Sequence, residues 1–442
     1  IRFKGNGTFV EGLQKKKLSF KIDFNEFVED QEHLGLTKIN LNNCITDPSM
    51  MREALSYEVF RGAGIKCSRV SWAKVSLTVP GEFKNKYIGL YSLLEQVDKR
   101  FLKHRYGTKK GLLLKPSTFG IFRYFEEDWE KYEKAYNPKT EATPEQSDRL
   151  MNFARLVQKS EDQAFETEIE SYLDVDQFLR FLAVNVLLSN LDSFLGGSQN
   201  YYVYLNPETN RFQLLPWDMD HSFGAFILVG TLETRQQLSI DHPQLDKNLL
   251  IERVLAMPRF KQSYHDYLNQ YTDTLFNKEK MFRVIDKTGE FLRPLVALEG
   301  EKALRRFEAT LAEKQQERKP HSLKHFVVKR PESIHAQLSG QSQGEILKWG
   351  EMPPGTIKQW IGIAVAIGIA LLLNFAAYIR GIIVGFRGSV GWGCLNLFLY
   401  PITPLYYGYK VRADLGRKSA RMVLWCIGIL ILVILVSIWT LS

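Results

Sequence analysis

Two long apolar runs near the C-terminus constrain this chain more than any other feature. Ile357 to Ile379 is apolar apart from Lys358, Gln359 and Asn374, and Met422 to Leu441 is unbroken. Each is long enough to cross about 30 Å of hydrocarbon as a helix rising about 1.5 Å per residue. Val390 to Tyr407 is also apolar, but Gly391, Gly393, Pro401 and Pro404 interrupt it, so it reads as a third span or as a re-entrant or interfacial segment. Both clean runs follow enough chain for a complete globular domain, which argues against core helices of a soluble fold. The 442 residues therefore divide into a domain at 1–340, a polar linker at 341–356 containing Pro353, Pro354 and Gly355, and a membrane domain at 357–442 with two or three spans. Basic residues stay on the cytoplasmic side of a membrane. Lys410, Arg412, Arg417, Lys418 and Arg421 precede the last run, and Arg380 and Arg387 follow the first. If the middle segment does not cross, all of these lie inside and the large domain is extracytoplasmic; if it crosses, that domain is inside. The first arrangement is the expectation.

The formal net charge of +9 does not indicate a nucleic-acid partner. Several excess cations sit beside the apolar runs, and the remaining Lys and Arg are interleaved with Asp and Glu rather than gathered into a stripe. Cys44 and Cys67 lie in the polar part and Cys394 and Cys426 in apolar stretches. One bridge between the first two is allowed, but two cysteines make no disulfide framework, and the redox compartment stays open. The chain opens at Ile1 without a leader and reads as a fragment.

Within the large domain, the organising stretch is Asn190 to Gly224. Tyr201 to Leu205 is aromatic and β-branched, Asn206-Pro-Glu-Thr-Asn210 is turn chemistry, and Arg211 to Leu215 is a second apolar run, so the segment predicts a hairpin. The outer ends of a hairpin meet. Asn200 then lies beside Pro216 to Asp218, and Asp192 in the preceding loop can face the same place. Two carboxylates and an amide oxygen suit a hard cation such as Mg²⁺, and no Cys or His cluster suggests zinc. A single Asp in such a loop usually does no more than cap a turn; the ordered set of Asp, Asn, hairpin and Asp points instead to phosphoryl transfer.

Elsewhere the residues predict a frame. Arg2 to Phe9 is a small-residue turn between extended segments, where Gly5 and Gly7 allow close backbone approach to a phosphate or simply a hairpin turn. Phe20, Ile22 and Phe24 alternate with Ser19, Lys21 and Asp23 as in a half-buried strand, and Asp47-Pro48 reads as a cap opening a helix that ends at Gly62 and Gly64. Strands follow at Val75 to Val79, Tyr87 to Leu94 and Gly111 to Lys115, with Glu95 read as a helix-starting acid. Ser117 to Ser147 reads as a surface insertion. Helical periodicity occupies Leu150 to Lys159, the stretch from Asp174 to Leu187, and most of Leu249 to Glu317. His221 is a candidate ligand or base, with a hydrogen-bonded spacer as its plainer role.

Asn190-Leu-Asp192, Asn200-Tyr-Tyr and Pro216-Trp-Asp218-Met-Asp220 together resemble the signature of the CotH kinase family, atypical kinases named after a spore-coat protein. Gly89-Leu-Tyr91, Glu95 to Leu102 and Leu323 to Arg330 are similar to further parts of the family pattern, and Lys4 stands where that pattern has Arg, which keeps the charge but not the bidentate fork. The resemblance covers roughly Ile1 to Gly340. It implies an α+β fold: an atypical protein-kinase-like bilobal domain, with an antiparallel-sheet N-lobe and a helical C-lobe, ahead of the transmembrane helices. It further implies ATP with Mg²⁺ (or Mn²⁺) as cofactors, Asp192 as the catalytic group that orients and deprotonates a hydroxyl, and Asn200, Asp218 and Asp220 around the metal. Lys21, Glu95 and Lys115 are the nucleotide-binding candidates; either lysine can be the one that meets phosphate, with Lys21 the first choice. The implied function is a membrane-anchored kinase acting on Ser or Thr of extracytoplasmic or cell-envelope proteins, with the lipid membrane as a second partner. AMP transfer by the same fold, or a non-catalytic adhesion or assembly scaffold, are the alternatives.

Overall fold

The structure is a computed structural model that describes residues 1–5, 9–29, 31–117, 122–197, 199–316, 319–350 and 356–399, with scattered positions from 402 to 428. Gly7, the linker residues Pro353, Pro354 and Gly355, and the second apolar run beyond residue 428 lie outside the described residues. The chain forms two compact units, Ile1–Glu351 and Met352–Ser442.

The first unit mixes antiparallel sheets with helices. Strands β1 (Arg2–Lys4), β2 (Ser19–Asp23), β3 (Lys38–Asn42), β4 (Val70–Val79) and β5 (Phe83–Glu95) form a sheet in the order β1-β2-β3-β5-β4. Pro80-Gly81 closes the β4–β5 hairpin, with Gly81 at φ +82°, a value that glycine adopts without steric penalty. Two local expectations give way here. The segment after Lys4 enters helix α1 (Phe9–Gln14) rather than a strand. In β2 the buried residue is Ser19, whose hydroxyl accepts the Asn43 amide at 3.0 Å, while Phe20 and Ile22 are only partly covered.

Helix α2 (Arg52–Gly62) starts later than its sequence suggests. Asp47 does cap, but it caps a turn: its carboxylate accepts the Ser49 amide at 2.9 Å and the Arg52 amide at 2.9 Å and pairs with the Arg52 guanidinium, while Met50 sits at φ +54° and interrupts the helix. Glu95 closes β5 rather than opening a helix. Asp98 caps α3 (Lys99–Tyr106), accepting the amides of Arg100 and Phe101. The stretch from Ser117 to Ser147 is not a loose insertion either. It contains α4 (Trp129–Tyr136), whose Tyr132 and Tyr136 are buried, and Phe122 packs between Phe153 and Phe212 with ring centroids at 4.4 and 6.2 Å.

Helices α5 (Pro144–Lys159) and α6 (Asp162–Tyr172) lead to α7 (Val175–Leu187), which is apolar nearly all round and buried accordingly. A second sheet, β6 (Leu112–Leu114), β7 (Tyr201–Asn206) and β8 (Arg211–Pro216), lies against α7 in the order β6-β7-β8. Buried Gln177 on α7 acts as a substitute strand neighbour. Its amide nitrogen donates to the Leu214 carbonyl at 2.6 Å and its oxygen accepts the Leu214 amide at 3.0 Å. The C-terminal end of α7 is held by buried Arg330, which donates to the Val186, Gln236 and Leu238 carbonyls and so satisfies acceptors left open at a helix end. Arg330 belongs to α13 (Leu323–Leu338), which packs with α8 (Leu232–Gln236), α9 (Leu249–Ala256), α10 (Pro258–Thr274), α11 (Lys278–Ala297) and α12 (Glu301–Leu311) around the rest of this core.

The second unit contains α14 (Thr356–Gly388), 33 residues long, and α15 (Val390–Phe398), which folds back so that the Tyr378 hydroxyl donates to the Leu397 carbonyl at 2.8 Å. Gly368–Gly388 within α14 is long and apolar enough to cross a membrane, with a mean hydropathy of 1.9. It is the one such helix among the described residues.

Candidate active site

Three segments deliver the site: the loop after α7, the two open ends of the β7–β8 hairpin, and β1 with α2. The loop is anchored from inside. Ser193 donates to the Asn185 side chain at 3.1 Å and the Asn190 carbonyl at 2.6 Å, and Phe194 is buried edge-on against Phe178, Phe181 and Tyr201. With its flanking side chains buried, Asp192 faces outward. The hairpin register pairs Tyr201 with Pro216, and the Trp217 amide donates to the Asn200 carbonyl at 3.2 Å, so Asn200 and Asp218 emerge side by side. Both occupy left-handed backbone, φ +58° and +60°, an uncommon state for Asp that turns the carboxylate out of the strand line.

Asp192, Asn200, Asp218 and Asp220 are brought together. The Asn200 amide nitrogen donates to the Asp192 carboxylate at 3.1 Å and to its carbonyl at 2.7 Å, which leaves the amide oxygen as the group able to ligate a cation. Gln199 also donates to Asp192, at 3.1 Å, and His221 Nε2 lies 3.9 Å from it. Thr46 donates to Asp220 at 2.5 Å. Burial pushes Asp192 up to about 7, with Asp220 and Asp218 adding to the rise and His221 opposing it. Burial and then Asp220 also raise Asp218, against the pull of Lys4 and Lys115. For His221, burial works against the charged form, yet the facing carboxylates of Asp220, Asp192 and Asp218 win and its pKa is raised.

The nucleotide-binding candidates occupy different places. Lys4 and Lys115 both lie over the Trp217 ring, at 5.5 and 5.0 Å, immediately before Asp218. Burial lowers both, Lys115 to about 8, and the acid acting most on each is Asp218. Lys21 sits on the same sheet face as Lys4, since Lys4 pairs with Ser19 and Lys21 with Asn40, but it is farther out. Burial lowers it to about 8 as well; the charges acting on it next are Lys38, Arg2 and Lys4, and the acid is Asp23. Glu95 makes ion pairs with Arg69 at 2.7 Å and Arg105 at 3.1 Å, and with neither Lys21 nor Lys115. The physical reason is register: Glu95 ends its strand at the sheet margin, where the Arg69 amide and α3 reach it.

The glutamate that does face a lysine of the site, Lys4, is Glu53, which sequence reasoning passed over. It is buried on the first turn of α2, accepts Asn42 at 3.1 Å and Ser92 at 2.8 Å, and is pushed up to about 8 by burial and then by Asp218 and Asp220. Asn42 in turn accepts Lys4 Nζ at 2.7 Å. A first-turn glutamate looks like ordinary helix electrostatics, so nothing local in the sequence marks it.

The family profile of the CotH kinase protein matches residues 1–334, which includes every residue of this cluster. The chain belongs to the CotH kinase family. It is 28% identical over 298 residues to the inner spore coat protein H of Bacillus subtilis, covering 66% of this chain and 76% of that one. It is 23% identical over 262 residues to spore coat protein homolog 1 of Rhizopus delemar, and 20% identical over 301 residues to invasin CotH3 of the same fungus. The fungal matches cover 56% and 64% of this chain but only 40% and 48% of those proteins.

The donor set in this CotH-family domain fits a hard divalent cation. Carboxylate and amide oxygens lie close enough to act on one another, and their burial and mutual repulsion hold Asp192 and Asp218 toward the protonated state, a cost that a bound dication reverses. Among the described residues no three His, Cys, Asp or Glu side chains form a self-contained metal cage.

Proposed function

We propose that the chain is a membrane-anchored protein kinase that transfers the γ-phosphoryl group of ATP to Ser or Thr hydroxyls of extracytoplasmic or cell-envelope proteins. One observation carries the reading: Asp192, Asp218 and Asp220 act on one another, and Asp218 lies beside Lys4 and Lys115, both over the Trp217 ring, in a CotH-family domain.

Asp192 orients the acceptor hydroxyl and takes its proton. A proton affinity near 7 suits a base working close to neutrality. Asn200 and Asp218 are the residues that would hold Mg²⁺, and Asp220, fixed by Thr46, supports them. When bound, that ion neutralises charge on the nucleotide phosphates. Lys4 and Lys115 bind the phosphates from the other side, where a partly desolvated cation is worth more than in water. Glu53 holds Lys4 in place through Asn42. Lys21 stands behind this pair as an outer contact.

Asp192→Ala is expected to abolish transfer of label from [γ-³²P]ATP while Mg-ATP still binds by calorimetry. Asp218→Ala is expected to abolish both. An Asp192→Ala protein as fast as the wild type would end the assignment. Intact mass after incubation with ATP separates addition of phosphate from addition of AMP. Two relatives carry the name of a spore coat protein and another that of an invasin, so a scaffold without catalysis is the rival from a different class. It predicts no Mg-ATP binding at all.

A further inference from the structure

Two segments of the large unit carry bulky apolar side chains that stay exposed among the described residues. Ile227 and Leu228 are 66% and 63% exposed on the turn that follows the acid cluster, and Ile346 and Trp349 are 51% and 38% exposed on the last extended stretch of the unit. The two segments abut. Phe226 and Trp349 meet edge to face at 5.6 Å, and a Cβ at Gly230 would lie 3.2 Å from Leu347. The second segment is held by a bridge in which the Glu345 amide donates to the Gln237 carbonyl at 2.7 Å and the Ser239 amide to the Glu345 carbonyl at 2.8 Å. Leu347 is buried while Ile346 and Lys348 on either side are exposed, giving the alternation of a strand with an apolar and basic outer face.

The course of the chain argues for what covers this face. Only residues 351–355 separate Gly350 from α14, so the start of that helix lies within about 20 Å of Gly350 even for a fully extended connection. A surface tethered by so short a connection to a helix with a membrane-crossing stretch at Gly368–Gly388 is within reach of that bilayer. Its composition is that of an interface: indole at headgroup level, aliphatic side chains just below, and a lysine for anionic headgroups. We propose that Ile227, Leu228, Ile346 and Trp349 form a shallow membrane-docking surface that seats the large unit on the bilayer entered by its own C-terminal helix. This rests on the reading of α14 as a membrane span. Phe226 also packs edge-on to His221 at 5.6 Å, and His221 is 3.9 Å from Asp192, so docking brings the acid cluster to the membrane surface, where its acceptors are hydroxyls of membrane-bound proteins.

The test uses the full chain in nanodiscs of equal parts phosphatidylcholine and phosphatidylglycerol, in a Cys44→Ser, Cys67→Ala, Cys394→Ser, Cys426→Ser background. Single cysteines at Leu228→Cys, Ile346→Cys, Phe375→Cys on α14 and Glu168→Cys on α6 carry an environment-sensitive fluorophore. Nitroxide lipids labelled on the headgroup are expected to quench positions 228 and 346, and lipids labelled on the acyl chain to quench 375, while 168 keeps nearly all its emission. Quenching at 375 without any at 228 or 346 overturns the docking surface and leaves the span intact. In that case, a raised KM for a protein acceptor in Leu228→Asp would reassign the patch to peptide binding. Absence of quenching at 375 removes the span, and the docking surface with it.

Discussion

At Asp192 two demands meet: the carboxyl must be close enough to other acids to share a cation with them, and it must still ionise near neutral pH. Burial and the neighbouring acids hold Asp192 up to about 7 and Glu53 up to about 8, both far above the ordinary carboxylate range. A raised acid contributes stability that is complete below its unfolded pKa and is lost as pH climbs through its folded one. Burial holds His321 down to about 4, so it acts in the opposite sense below about 6.5, and Lys21 and Lys115, held near 8, oppose the acids only above that value. Between about pH 6.5 and 7.5 the raised acids therefore draw the thermal midpoint of the metal-free protein down, with buried Lys4, itself held below the ordinary lysine range, acting against them. Saturating Mg-ATP should flatten that slope, because the ion binds the ionised acids; differential scanning fluorimetry with EDTA or with Mg-ATP checks both. Lys4→Ala and Lys115→Ala should each lower kcat/KM for ATP by roughly 10²-fold, the typical loss on removing one preorganised electrostatic contact, and Lys21→Ala by clearly less. Steady-state kinetics with ATP as the varied substrate decides the order.

At the scale of elements, the site is a hairpin clamped by a helix. Asp174 caps α7 by accepting the Gln177 amide at 3.2 Å, and its other oxygen accepts Gln213 of β8 at 2.6 Å. One residue thus links the start of the helix to the hairpin. Asp174→Ala should lower stability by about 1 to 2 kcal/mol, the cost of a lost cap together with an unpaired amide, read from the first transition in urea. Activity should fall by less than in any variant of the acid cluster, since Gln177 still holds Leu214. The hairpin itself was legible because a turn-residue cluster separates two runs of aromatic and aliphatic residues on a short scale. The late start of α2 was not: Asp47-Pro48 has the local chemistry of a helix cap, but Arg52 and Ser49 draw its carboxylate into a turn.

For the whole molecule, α14 is about 50 Å long at 1.5 Å per residue, more than the hydrocarbon thickness, and its apolar stretch is the part suited to the bilayer. Membranes carrying the full chain should retain it through an alkaline carbonate wash. Protease added to intact cells should digest the large unit if that unit is extracytoplasmic; protection would reverse the orientation inferred from the basic residues flanking the apolar runs.

Contiguous residues carry their own pattern, and so the acid motif at 190–220, the hairpin that joins its parts, the apolar helix and the family resemblance could be read from order and spacing alone. Which lysine and which glutamate join those acids could not. Lys4, Glu53, Lys115 and Asp218 are far apart in the chain and meet only when a sheet, a helix and a hairpin pack together, and burial then sets their charge. Glu95 went the other way for the same reason: a strand register carried it to Arg69 and Arg105. Local sequence encodes elements because backbone preferences act over a few residues; electrostatic partnership acts through space and is decided by the fold.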